Sequence, residues 1–167
     1  MKVLAIDAST KSTGVALFDD KKLVKYDCLT ASSTDLIKRI QIIVRQLNDF
    51  IKDEPIEKVI LEEVRPESGS TIVQSMKTQR ALMWLQAAIA FLLHETNPKA
   101  EIEYTYPSSW RSKCGIKNGR GYRRESVKQA DIRFVKENYG IDVNDDIADA
   151  IGIGHSYVHN LSDEVNW

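Results

Sequence analysis

The chain has 167 residues, 43% of them hydrophobic and 28% charged, and a formal net charge of −1. At that length a single domain spanning 1–167 is expected, burying roughly 70% of the surface its unfolded chain exposes, so no disulfide scaffold is needed. Cys28 and Cys114 stand far apart with no CxxC spacing, Asp7 cuts off the N-terminal apolar run, and the most apolar stretch, 81–93, is short. These features argue against a zinc site, a secretion signal and a membrane span, and for a soluble protein in a reducing compartment.

In chain order, 2–8, 13–19 and 22–29 read as three strands of an antiparallel meander, the last two joined through Asp19-Asp20-Lys21. Leu36, Ile40, Ile43, Val44, Leu47 and Ile51 recur at helical spacing, so 35–52 is an amphipathic helix with Thr34 as its N-cap. A strand at 57–63 follows Pro55, then a loop at 65–70 and a long helix at 71–95. A short strand at 101–105 leads into a Pro/Ser/Gly-rich basic loop, 106–122. Helices at 123–139, closed by Gly140, and 145–159 complete the chain. The order βββαβαβαα defines an α/β protein: a five-stranded mixed sheet with helices packed on both faces.

Two patterns stand out. Between Ala81 and Leu93 the long helix is apolar almost all round. A helix lying on one sheet shows a single stripe, so this one is either a central core helix or a dimer interface. From Arg111 to Lys128 there are seven basic residues and one acid, Glu125, a local charge of +6 in a nearly neutral chain. Such a patch can bind phosphates while the rest of the surface stays neutral.

The acids supply the complementary chemistry. Asp7 closes the first strand, where a charge is costly without a partner. Glu62 and Glu63 close the strand at 57–63 on opposite faces, so only one can stand beside Asp7. Asp145, Asp146 and Asp149 open the last helix behind Asn144, a fitting N-cap, and Asp146 and Asp149 share a face. Taken singly, each has an ordinary reading: a solvated strand end, or acids favoured by a helix dipole. The small residues Ala148, Ala150, Gly152 and Gly154 would let this helix approach the sheet and carry its acids toward the strand ends. Converging carboxylates need cations, and oxygen-only donors suit Mg²⁺ or Mn²⁺. Two such ions are a known arrangement for phosphodiester cleavage.

Four segments carry a family resemblance: IDASTKSTG at 6–14, ILEEV at 60–64, the basic region 111–128, and DDIADAIGIGH at 145–155. Their order and spacing resemble those of RuvC-like Holliday junction resolvases across nearly the whole chain, and the small size resembles a bacteriophage member. The resemblance implies an RNase H-like fold with Asp7, Glu62, Asp146 and Asp149 as catalytic, metal-binding acids. It implies two Mg²⁺ per site, Mn²⁺ substituting. It further implies a homodimer, here through the helix at 71–95, that nicks opposing strands of four-way or branched DNA in the cytoplasm of a bacterial or phage-infected cell. Arg65, Lys113, Lys117, Arg120, Arg123 and Arg124 are the expected DNA contacts. Arg65 stands where family members often carry an aromatic residue that contacts unstacked bases, with Tyr122 as a possible substitute. No docking surface for a helicase is evident.

Three other readings compete. A kinase of the actin or sugar-kinase type shares the first motif but needs two such domains and a Gly-rich adenosine motif absent here. A ribonuclease H acting on RNA–DNA hybrids uses the same acids and metals and is the main alternative. A non-catalytic junction binder would gain nothing from four acids that repel DNA. His94, His155 and His159 read as surface or satisfied histidines, with a minor role for His155 left open, and Trp84 and Trp110 as packing residues.

Overall fold

The protein is described by a computed structural model over residues 1–64 and 71–160. The strands are β1 (Lys2–Asp7), β2 (Ser12–Asp19), β3 (Lys22–Thr30), β4 (Lys58–Glu62) and β5 (Glu101–Thr105). The helices are α1 (Leu36–Phe50), α2 (Ile72–Thr96), α3 (Pro107–Lys113), α4 (Arg124–Tyr139) and α5 (Asp145–Val158). Spatial order in the sheet is β3-β2-β1-β4-β5. The first three strands pair antiparallel, while β4 runs parallel to both β1 and β5. The expected mixed, five-stranded sheet is therefore present.

Both faces of the sheet are covered. Leu4, Ile6, Val15, Leu17, Val59 and Leu61 pack beneath α1 and α2. The alternate residues Val3, Ala5, Ala16, Phe18 and Ile60 pack against α3, α4 and α5. Central β1 is consequently apolar on both sides, with Val3 to Ile6 fully buried, as expected of a strand with helices above and below. Period-2 alternation then fixes the site: Asp7 and Glu62 continue the series facing α5. Ile6 pairs with Leu61, so the two acids stand one step further along, at neighbouring strand ends.

Element ends differ from the sequence reading by a residue or two, and two differences have a physical cause. The N-cap of α1 is Asp35, which accepts from the backbone N–H groups of Ile37 and Lys38, rather than Thr34. The basic loop expected over 106–122 contains a helix, α3, which begins on Pro107; proline at the first helical position fits because its missing N–H is an orphan there anyway. Gly140 closes α4 in the left-handed region, as expected.

Among the described residues, the long helix α2 is covered on one side only. Leu85, Gln86, Ile89 and Leu93 are buried on the sheet side. Met76, Met83, Trp84 and Phe91 remain exposed, Phe91 by 74%. Among the described residues α2 is therefore not a central core helix, and Trp84, expected to pack, stands on the open face with Arg80 over its ring. Among the described residues no helix is long and apolar enough to cross a membrane.

Candidate active site

The carboxyl ends of β1 and β4, the start of α5 and the basic end of α4 surround one cleft of about 850 Å³. Asp7, Glu62, Asp146 and Asp149 all line it. Glu63 lines it too, although its backbone N–H is bonded to Thr105 past the end of the sheet. Of the paired glutamates, strand alternation puts Glu62 on the side of Asp7.

The approach of α5 to the sheet depends on missing side chains. Gly14 sits opposite Asp7 in the β1–β2 register. A Cβ on Gly14 would lie 1.9 Å from the carbonyl oxygen of Asp146, so any other residue would push the first turn of α5 off the sheet. Further along, Gly154 packs against Phe18 and Ala5, the close contact that the small-residue pattern predicts. Gly152 serves a different purpose: its missing Cβ makes room for the indole of Trp110, which would otherwise be 2.5 Å away.

Each of three acids has an oxygen held by a neighbouring side chain. Trp110 Nε1 donates to Glu62 Oε2 at 2.8 Å, and Gln86 Nε2 donates to the Glu62 carbonyl at 2.9 Å. Ser12 donates its hydroxyl to Asp146, with the Cys28 thiol 3.1 Å from the Ser12 oxygen. Arg111 Nη2 donates to Asp149 Oδ2 at 3.2 Å. The same guanidinium is forked onto Asp131, at 3.0 Å from Nε to Oδ2. Asp131 is fully buried. Oδ1 of Asp149 is buried with no hydrogen-bond partner among the described residues.

The electrostatics follow from crowding. Burial, then the charges of Glu62 and Asp146, raise the Asp7 carboxyl well above the usual range, against the pull of Arg111. Burial and the Asp7 charge push Asp149 up to about 9, again opposed by Arg111. Asp145 goes the other way, held low by its hydrogen bond from Lys128.

These features test whether a divalent cation fits. Among the described residues, no three acid, histidine or cysteine side chains are close enough to hold an ion as they stand. The donor chemistry nevertheless suits one: the ligating atoms are carboxylate oxygens, one of them is buried and unpartnered, and two carboxyls resist ionisation without added positive charge. Hard oxygen donors of this kind match Mg²⁺ or Mn²⁺.

The basic residues divide. Arg124 lines the cleft together with Arg111, Lys128 and, from other elements, Lys11, Arg39 and Lys77. Lys113, Lys117, Arg120 and Arg123 are exposed beside it rather than in its wall. Tyr122 is half exposed between Gly121 and Arg123, and Arg65 lies outside the described residues. His155 is not part of the cleft wall. Its Nδ1 is 2.7 Å from the Tyr139 hydroxyl, its ring stacks on His159, and burial drives its pKa down to about 4. It is a satisfied packing histidine.

The fold is that of RuvC and related junction resolvases. RuvC of Thermus thermophilus, solved in complex with a Holliday junction substrate, superposes with a TM-score of 0.76 over 98% of this chain and 97% of that one, at 13% identity. The yeast mitochondrial Holliday junction resolvase Ydc2 gives 0.60 over 93% of this chain and 77% of its own, at 17% identity. In sequence, a pre-16S rRNA nuclease of Christiangramia forsetii is 34% identical over 62 residues, a match spanning 37% of this chain and only 41% of that relative. No protein-family model matches the chain.

Proposed function

We propose that the protein is a divalent-metal-dependent endonuclease that resolves branched DNA, four-way junctions above all, acting as a homodimer. The observation that carries this reading is the meeting of Asp7, Glu62, Asp146 and Asp149 around one cleft that Arg124 and Lys128 also line. The shared fold with junction resolvases supports the substrate class.

Asp7, Glu62, Asp146 and Asp149 would hold the cations, Mg²⁺ or Mn²⁺, which when bound supply Lewis-acid activation of water and of the leaving oxygen. The protein's own groups perform the rest. Trp110, Ser12 and Arg111 fix the carboxylates. Arg124 and Lys128 in the wall, with Lys113, Lys117, Arg120 and Arg123 beside it, bind successive phosphates and orient the scissile bond. Arg65, outside the described residues, is proposed as a DNA contact from the resemblance alone. Pairing two chains through the exposed face of α2 supplies two sites under the two-fold symmetry that a four-way junction shares.

Asp7→Asn should abolish cleavage while junction affinity is kept or increased, because the amide loses an anionic metal ligand but leaves the basic phosphate contacts in place. Gel-shift and cleavage assays on one labelled junction measure both. Wild-type cleavage by that variant would contradict the assignment.

A further inference from the structure

Arg111 is an unusual occupant for an acid cluster that must accept cations. Its side chain is 14% exposed, its guanidinium carbon lies 4.3 Å from the centre of the Trp110 ring, and it forks onto buried Asp131 while touching Asp149 with one nitrogen. Asp131 comes from α4, the helix whose first turns carry Arg124 and Lys128. A fixed positive charge beside Asp149 opposes metal binding unless its own charge is balanced elsewhere. A guanidinium free to rotate could chelate both oxygens of a carboxylate, and would then take the site the metal needs.

We infer that Asp131 is a positioning residue for the metal site: it restrains Arg111 so that Asp149 gives up only Oδ2, leaving buried Oδ1 directed to a divalent cation. Three observations converge on this role. The Arg111–Asp131 contact is bidentate, whereas the Arg111–Asp149 contact is single. Asp131 is a fully buried acid, ion-paired to Arg111 and close enough to Asp149 to raise its carboxyl. Asp149 Oδ1 is the unpartnered oxygen. The inference rests on the proposed metal-binding role of the four acids and adds the device that keeps an internal cation from competing with the metal. It also ties the acids to α4, so that a shift of the phosphate-binding helix is transmitted to Asp149 through Asp131 and Arg111.

The test is a Mn²⁺ binding isotherm on the full chain without DNA, with thermal unfolding as the check on folding. Asp131→Asn releases Arg111 toward Asp149, and the apparent Kd for Mn²⁺ should rise about tenfold or more, in the range seen when partners of metal ligands are removed. The double variant Asp131→Asn/Arg111→Gln removes both charges of the buried pair, avoids a stranded charge, leaves an amide that can donate to Asp149 Oδ2, and should recover most of the Mn²⁺ affinity lost in Asp131→Asn. Unchanged affinity in Asp131→Asn, or weakened affinity that the double variant does not restore, overturns the positioning role. Asp7→Asn is the separate control: if it binds Mn²⁺ as the wild type does, the acid cluster itself is misassigned, whatever Asp131 does.

Discussion

At the scale of single residues, four acids stand at strand ends and on one helix face, and oxygens of three of them are held by side chains from elsewhere in the chain. Asp7, Glu62, Asp146 and Asp149 could be found because a charge at a strand end or on a helix face leaves a mark in sequence. Ser12, Trp110, Arg111 and Asp131 act through contacts between residues far apart in the chain, such as the pair Trp110 and Glu62, which no local pattern encodes. Asp131 did leave a trace: it falls on the same helical stripe as Val127 and Val135, an acid where an apolar residue is expected. The Trp110 bond makes a prediction. Trp110→Phe keeps a ring but loses the donor to Glu62 and leaves a small void beside Gly152. Removing a hydrogen bond to a buried charged group costs about 1–3 kcal/mol. Displacing a catalytic carboxylate by an ångström can cost on the order of a hundredfold in rate. The variant should therefore melt at a lower temperature and show kcat reduced at least about tenfold, with junction affinity little changed. Full activity would mean that Glu62 needs no such anchor.

At the scale of elements, the strands and long helices followed from periodicity, whereas α3 was hidden by its composition. Pro107, Ser108 and Ser109 look like loop residues, and the glycines after Cys114 extend that impression. The usable signal was proline at the first helical position ahead of Trp110 and Arg111. This seven-residue helix matters beyond its size, since its adjacent residues Trp110 and Arg111 reach Glu62 and Asp149 respectively. The near-uniform apolarity of α2 has the opposite history. It was visible in sequence, and the structure shows one side buried and the other bare, with Met76, Met83, Trp84 and Phe91 spaced along it. A stable interface buries about 800 Å² per partner with aromatic anchors near its centre. Trp84→Glu/Phe91→Glu should convert a dimer to monomers by light scattering, leave the monomer folded, and replace paired nicks by single ones. A monomeric wild type at micromolar concentration would contradict the assigned interface.

At the scale of the whole molecule, a net charge of −1 concealed two opposed fields. The fold brings Arg111, Arg124 and Lys128 of the basic stretch into one cleft with Asp7, Glu62, Asp146 and Asp149. The alternating order of elements was enough to give the sheet and its two covered faces. It could not give the depth to which α5 settles, which depends on Gly14 admitting the backbone of Asp146, a contact between residues from opposite ends of the chain. The substrate of this cleft is identified by incubating the protein with Mg²⁺ and, in parallel, a labelled four-way junction, a linear duplex of the same sequence and an RNA–DNA hybrid. Symmetric nicks on opposing strands of the junction, with little cutting of the duplex or the hybrid, are the predicted result. Cutting of the hybrid without the junction, or of no substrate in Mg²⁺ or Mn²⁺, would contradict it.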